Sequence, residues 1–574
     1  MAAFVFVHSP HGSTGFLSED QRLKARRALQ ERQPGEIREH AFPGGWAAVS
    51  GSLGGLSVSG NRLLLWDGDL GADRPDPLGL PDGSEGCAAC AFDGEEGEIR
   101  LIRDRFGVRP LFWTFHDDLW MVASESKVFQ ALGVPLAIEP RALQEAFAYR
   151  WVTGESCLLS PGVRVPEGTV VSIRPGQAPD LDRYWRFTID PEPMDGSAFK
   201  RYQDATDQAI RSYLRRLDTG DAPVGVLLSG GVDSSLLTAL AKEELGECFA
   251  YGFRIEGWPN PELDRARVVA NHLGIPLREV PIDPDLFPAD LPYLMRRMEE
   301  FPRHPNNLVL LQLLRAAAGE VKVMLQGDAA DTLFSIGTRR RIRQFNQKKD
   351  LVRWLPRWLN VGAVKTLEAI PMGLAWRGAR ILAWDEWRFF QARDAIEYGH
   401  HVRRILGLSL LAESRWDSGD WSREQDLDEL RRANLVSSGI QGSLIRHDRL
   451  SRPEGIDSRA PFISPEVVEV ARTMPRELCY GEVSKPVLRA LCDRYLPQEV
   501  SRWPKGRFEV PWGEWLFGPL RPLCQEAGRA LEGTPYVPPG FMKTALDTRD
   551  REGAWSGLAL HLLLEEFGLQ EGQA

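Results

Sequence analysis

The chain has 574 residues, 26% charged and 43% hydrophobic, with a formal net charge of −10. That length suits two to four domains, the acid excess argues against a protein that coats nucleic acid, and no apolar run reaches the ~20 residues of a membrane span. The N-terminus lacks the basic start of a signal peptide, and the seven cysteines hold a single Cys-x-x-Cys pair, Cys87 and Cys90, so a reduced cytoplasm is expected with neither a zinc site nor a disulfide framework.

In chain order, strand patterns fall at 4–7, 46–49, 56–59, 63–66, 87–92 and 98–102, and helical patterns at 19–32, 126–132 and 141–149. That mix predicts an α+β sandwich of sheets with flanking helices. Three phrases occur in order: Leu101-Ile-Arg-Asp-Arg-Phe-Gly-Val-Arg-Pro-Leu-Phe112, Ala123-Ser-Glu-Ser-Lys127 and Val163-Arg-Val-Pro-Glu-Gly168. They resemble the glutaminase domain of class II amidotransferases, as in asparagine synthetase B. The resemblance implies an Ntn-type αββα sandwich over residues 1–190. It fails where that chemistry needs a cysteine right after the initiator Met: position 2 is Ala, and no cysteine precedes Cys87. The family's oxyanion-stabilising Asn falls on Asp67. A methyl group is no nucleophile and a carboxylate does not stabilise an oxyanion, so a glutaminase fold without its activity is expected, with a structural role against the next domain.

Asp190-Pro-Glu-Pro-Met-Asp-Gly196 marks the joint to a second domain, 196–574. There Pro223-Val-Gly-Val-Leu-Leu-Ser-Gly-Gly-Val-Asp-Ser-Ser235 reads as buried strand, glycine turn and helix start. Unpaired N–H groups and a helix dipole at such a turn make an anion site, and Asp233 beside it calls for a cation such as Mg²⁺. Strands at 248–254, 277–280 and 321–325 alternate with helices at 199–217 and 263–273, which predicts a doubly wound parallel sheet with nucleotide at its carboxyl ends.

The turn looks like the Ser-Gly-Gly-x-Asp-Ser pyrophosphate loop of the ATP pyrophosphatases, which split ATP into AMP and pyrophosphate and leave an adenylated substrate. The resemblance implies ATP contacts from Ser229, Gly230, Gly231, Asp233, Ser234 and Ser235, with Leu227, Gly252 and Phe253 at the adenine. Gln326-Gly-Asp-Ala-Ala-Asp-Thr-Leu-Phe334 resembles a second asparagine synthetase motif: Gly327 falls at the nucleotide, Asp328 on an acidic residue near the substrate and Asp331 on the second Mg²⁺ ligand. Arg446-His-Asp-Arg-Leu-Ser451 and Gly455-Ile-Asp-Ser-Arg-Ala-Pro-Phe462 place Asp448, Arg449, Asp457 and Arg459 on the cleft floor, where ion-pair scaffolding is the alternative. Ser484-Lys-Pro-Val-Leu-Arg489 and Ser501-Arg-Trp-Pro-Lys-Gly-Arg-Phe508 place Lys485 on phosphate and Lys505 on phosphate and the reacting centre. Residues 338–440 resemble the family poorly and are rich in Trp and Arg, which suits a helical insertion or a surface for a bulky substrate.

Loss of the glutaminase cysteine marks the superfamily members that use an amine already in the substrate: lasso peptide cyclases, β-lactam synthetase and carbapenam synthetase. The resemblance therefore implies an ATP- and Mg²⁺-dependent lasso peptide macrolactam synthetase, whose partners are a precursor peptide, a leader-recognition protein and a leader peptidase, with no nucleic acid or membrane. A β-lactam-type cyclase, an ammonia-dependent amide synthetase and a nucleotide-binding scaffold remain the alternatives. Asp328 and the precursor's own groups are the alternatives for the deprotonating group.

Overall fold

The computed structural model describes residues 2–11, 17–51, 54–68, 86–149, 152, 154–220, 222–302, 305–334, 440–479, 481–504, 506 and 510–569. Lys505 and the Trp/Arg-rich stretch up to residue 439 lie outside them. Among the described residues no helix is long and apolar enough to cross a membrane.

Two six-stranded antiparallel sheets form the N-terminal part. In the first, strand Ala3–His8 is flanked by Gly45–Ser50 and Leu119–Ala123; in the second, Arg62–Asp67, Ala88–Asp93 and Glu98–Arg103 run side by side. Alternate residues decide the layering. Phe4, Phe6, Ala47 and Val49 of the first sheet meet Leu63, Leu65, Cys90, Phe92 and Leu101 of the second in one buried cluster. Cys90 is buried in that cluster and Cys87 in a smaller one beside Leu64 and Ala89, as the small-residue strand pattern implied. Helix Glu19–Arg32 covers the outer side of the first sheet, with Ser18 and Gln21 closing a capping box at its start. Pro140–Tyr149 docks elsewhere, with Phe147 against Phe301 and Phe541 of the C-terminal part. The αββα expectation is thus met by three layers among the described residues, because that helix faces the other domain.

The C-terminal part is built on a five-stranded parallel sheet: Val224–Leu227, Cys248–Ile255, Leu277–Ile282, Val323–Leu325 and Asp457–Arg459. Counted in chain order, the strands lie 3-2-1-4-5. Helices Ala198–Arg216, Val232–Leu245 and Pro261–Leu273 pack on one face, around Val226, Leu236, Leu240 and Val269. Phe287–Met298 and Asn306–Ala317 cover the other, around Tyr251, Phe253, Leu291 and Leu308. The order reverses between the first and fourth strands, where connections leave in opposite directions and open a crevice at the carboxyl ends.

Candidate active site

The first strand ends at Leu227, half-buried beside Tyr251 of the second strand. Leu228 to Gly231 then turn the chain into helix Val232–Leu245. Gly230 has φ +69°, and a Cβ there would lie 2.5 Å from Arg265 Cβ and 2.7 Å from the Ala266 nitrogen. Helix Pro261–Leu273 therefore presses on the turn so closely that glycine is required. The turn's hydroxyls converge: Ser229 Oγ is 3.1 Å from Ser234 Oγ, which also accepts the Ser229 N–H at 3.2 Å. Gly231 caps the helix with no side chain, so the first N–H groups take no side-chain cap. Ser235 is buried with its Oγ unpartnered. Gly252 lies beside this turn, since a Cβ there would sit 3.6 Å from the Leu228 carbonyl oxygen; Phe253 is buried one residue on.

The fourth strand brings the second half. A Cβ on Gly327 would stand 3.4 Å from Asp233 Cβ and 3.4 Å from the Ser234 nitrogen, so the two strand ends meet there. Asp233 and Asp331 converge on one cation: Lys485 Nζ lies 2.5 Å from Asp233 Oδ2 and 2.5 Å from Asp331 Oδ1. Burial works against the Lys485 charge, but the two carboxylates outweigh it and hold its pKa above the ordinary lysine range. Lys485 begins helix Pro486–Tyr495, which packs on Val232–Leu245, with Cys492 Sγ 3.4 Å from the Val232 carbonyl. Lys485 thus bridges the two carboxylates at the mouth of the turn.

Two carboxylates that share one small cation fit Mg²⁺, which commonly takes one or two carboxylates plus phosphate oxygens and waters. Asp233 and Asp331 would hold it, and it would neutralise the phosphates of ATP there.

Asp328 lies three residues before Asp331 and is held by helix Ile440–Ser451. Its Oδ2 accepts a short hydrogen bond from Ser443 Oγ and lies 3.5 Å from His447 Nε2 and 3.9 Å from an Arg446 nitrogen. Pro504 and Gly506, on either side of Lys505, both border helix Pro261–Leu273: the Pro504 carbonyl accepts from Arg265 at 2.9 Å, and a Cβ on Gly506 would meet Glu262.

A model described as "Asparagine synthase" matches residues 202–566. The chain belongs to the asparagine synthase family. These are ATP-dependent, amide-forming ligases. A "Glutamine amidotransferase domain" model matches residues 83–185. "Asparagine synthetase [glutamine-hydrolyzing] 1" of Bacillus subtilis (strain 168) is 25% identical over 459 residues, 78% of this chain and 71% of that protein. "Putative asparagine synthetase [glutamine-hydrolyzing]" of Mycobacterium bovis is 28% identical over 463 residues, 75% and 67% of the two chains. "Amidase chyE" of Penicillium rubens is 27% identical over 491 residues, 75% and 70% of the two chains.

This asparagine synthase family member joins its halves in part by ion pairs, the scaffolding that the sequence left open for these motifs. Asp448, Arg449 and Asp457 are buried, and Arg459 is partly exposed at the end of the fifth strand. Asp448 is buried and accepts from Arg32 at 2.7 Å, from Arg452 at 3.1 Å, and from Arg109. Arg109 reaches on to Asp457 at 2.9 Å, and Arg459 pairs with the other Asp457 oxygen at 2.7 Å. Arg449 is buried against Glu299 at 3.4 Å. Burial alone would raise the Asp448 and Asp457 carboxyls, but the surrounding guanidiniums hold both far below the carboxylate range. The reason is topological: the fifth strand's Asp457 and the helix carrying Asp448 face the N-terminal domain. The same cluster takes Asp67. It is fully buried, accepts the Ala2 N–H at 3.1 Å and pairs with Arg32 at 3.1 Å and Arg452 at 3.0 Å. Sequence reasoning missed Arg32, Arg109, Arg452, Ser443 and His447. The last two lie four residues apart on one helix, a spacing that was readable.

Proposed function

We propose that this protein adenylates a peptide carboxylate and closes an intramolecular amide, joining an Asp or Glu side chain to the peptide's own N-terminal amine. One observation carries the reading. The carboxylate of Asp67 is locked between Arg32, Arg452 and the Ala2 N–H, while Asp233, Asp331 and Lys485 remain assembled around a cation site. A chain that keeps an adenylating cradle but fills the glutaminase position with ion pairs requires an amine from another source. An amine within the substrate supplies it with a large gain in effective concentration. The Trp- and Arg-rich stretch of residues 338–440 supports a peptide over a small amino acid as the substrate.

In this reading the turn from Ser229 to Ser235 binds pyrophosphate, Asp328 accepts the amine proton, and Lys505 balances charge at the reacting centre. A precursor peptide, a leader-recognition protein and a leader peptidase belong to the same reading, in the cytoplasm. Pyrophosphate release with ATP and Mg²⁺ tests it, using a peptide with a free N-terminus and an internal Asp or Glu. Peptide-dependent release with a product lighter by one water is expected. Turnover only with a small β-amino acid, or only with aspartate plus ammonium, would replace it with a β-lactam-type cyclase or an ammonia-dependent synthetase.

A further inference from the structure

Asp328 is held asymmetrically. Ser443, Arg446 and His447 lie on one face of helix Ile440–Ser451, and all three address the same oxygen, Oδ2. The other oxygen, Oδ1, accepts no hydrogen bond from a described residue, although the side chain is 28% exposed. A carboxylate fixed at one oxygen and open at the other has a defined direction in which to take a proton.

His447 is built for the fixing role. It is 4% exposed, and its Nδ1 is buried with no hydrogen-bond partner among the described residues. Nε2 is the ring nitrogen with neighbours, 3.5 Å from Asp328 Oδ2 and 3.5 Å from an Arg446 nitrogen, so the ring packs against the carboxylate through that edge. Burial, against the pull of Asp328 and with help from Arg446, pushes the His447 pKa down to about 3. The imidazole stays neutral, so it orients Asp328 without taking its proton.

We propose that His447, with Ser443 and Arg446 on the same helix face, is a positioning residue that aims Asp328 Oδ1 at the attacking amine. This rests on the amide-closing reading above. The amine reacts in its neutral form, which an α-amine titrating near 8 populates to about a tenth at pH 7. Its nitrogen lone pair forms the bond to the acyl carbon of the adenylate. The bond from that carbon to the phosphate oxygen breaks, and AMP leaves with the electron pair. The remaining surplus N–H proton passes to Asp328 Oδ1. Adenylation precedes all of this and needs no such base.

The test separates the two half-reactions. Peptide-dependent exchange of labelled pyrophosphate into ATP reads adenylation, and mass spectrometry reads amide formation, on a peptide with a free N-terminus and an internal Asp or Glu. Asp328→Asn should lower amide formation on the order of a hundredfold more than exchange. His447→Leu should lower it about tenfold more than exchange, and His447→Gln, which keeps an N–H donor, should recover part of that. Equal losses in both half-reactions, or a fast amide step in His447→Leu, would overturn the positioning role. If the wild-type protein shows no peptide-dependent exchange, the peptide reading fails instead. The same variants with aspartate plus ammonium then give the same split if His447 positions Asp328, and none if it does not.

Discussion

At the scale of single residues, the Lys485 ammonium occupies the place where Asp233 and Asp331 demand a cation. Lys485→Met leaves the two carboxylates to repel each other. The cost should be about 2 kcal/mol, below the ~3–5 for a fully buried pair because the Asp331 side chain is 41% exposed and solvent-screened. Without nucleotide, millimolar Mg²⁺ should then raise the thermal midpoint of Lys485→Met more than that of the wild type. Equal responses would separate the metal site from this carboxylate pair. The motif residues Asp233 and Asp331 were legible because each follows a strand end and a glycine. Their link through Lys485 was not, since it spans 252 residues from Asp233 and has no local pattern.

At the scale of elements, the strand–turn–helix from Val224 to Leu245 was the most readable part of the chain. A short β-branched run, two glycines and a leucine-spaced helix admit few other conformations. The reason for its first glycine was not readable, because it lies in the neighbouring helix. Gly230→Ala would push a methyl into Arg265 and Ala266 from a left-handed backbone position. It should weaken ATP binding at least tenfold by displacing the N–H groups of the turn, while the far-ultraviolet spectrum stays that of a folded protein. Unchanged ATP affinity, read by equilibrium titration, would remove the turn from the nucleotide site. Strand Ile37–Phe42 escaped the sequence reading for a different reason. It is an edge strand with mostly partly exposed residues, so Ile-Arg-Glu-His-Ala-Phe carries no clean two-residue alternation.

At the scale of the whole molecule, the junction sets a buried ionic cluster beside the apolar packing of Phe147 on Phe301 and Phe541. Asp448→Asn leaves Arg32, Arg109 and Arg452 short of one buried negative charge and should cost about 3–5 kcal/mol. Because the folded Asp448 pKa lies far below its unfolded value, that stability is present above pH ~4 and is lost on acidification below it. The difference in urea midpoint between wild type and Asp448→Asn should therefore be full at pH 7 and shrink toward pH 3. A pH-independent difference would mean that Asp448 acts through packing.

The same junction sets a timetable for synthesis. Arg32 waits for an acceptor 416 residues downstream, and Arg109 for two that lie 339 and 348 residues away. At about 5–20 residues per second, a ribosome needs roughly 20–80 s to make the Arg32 partner after Arg32 itself. For that interval Arg32 holds only Asp67 and Glu125 of its own domain, and Arg109 has neither Asp448 nor Asp457. The first domain to leave the ribosome is thus the last to be completed, and a nascent chain halted before Asp448 exposes an unfinished face on which Arg109 has neither carboxylate.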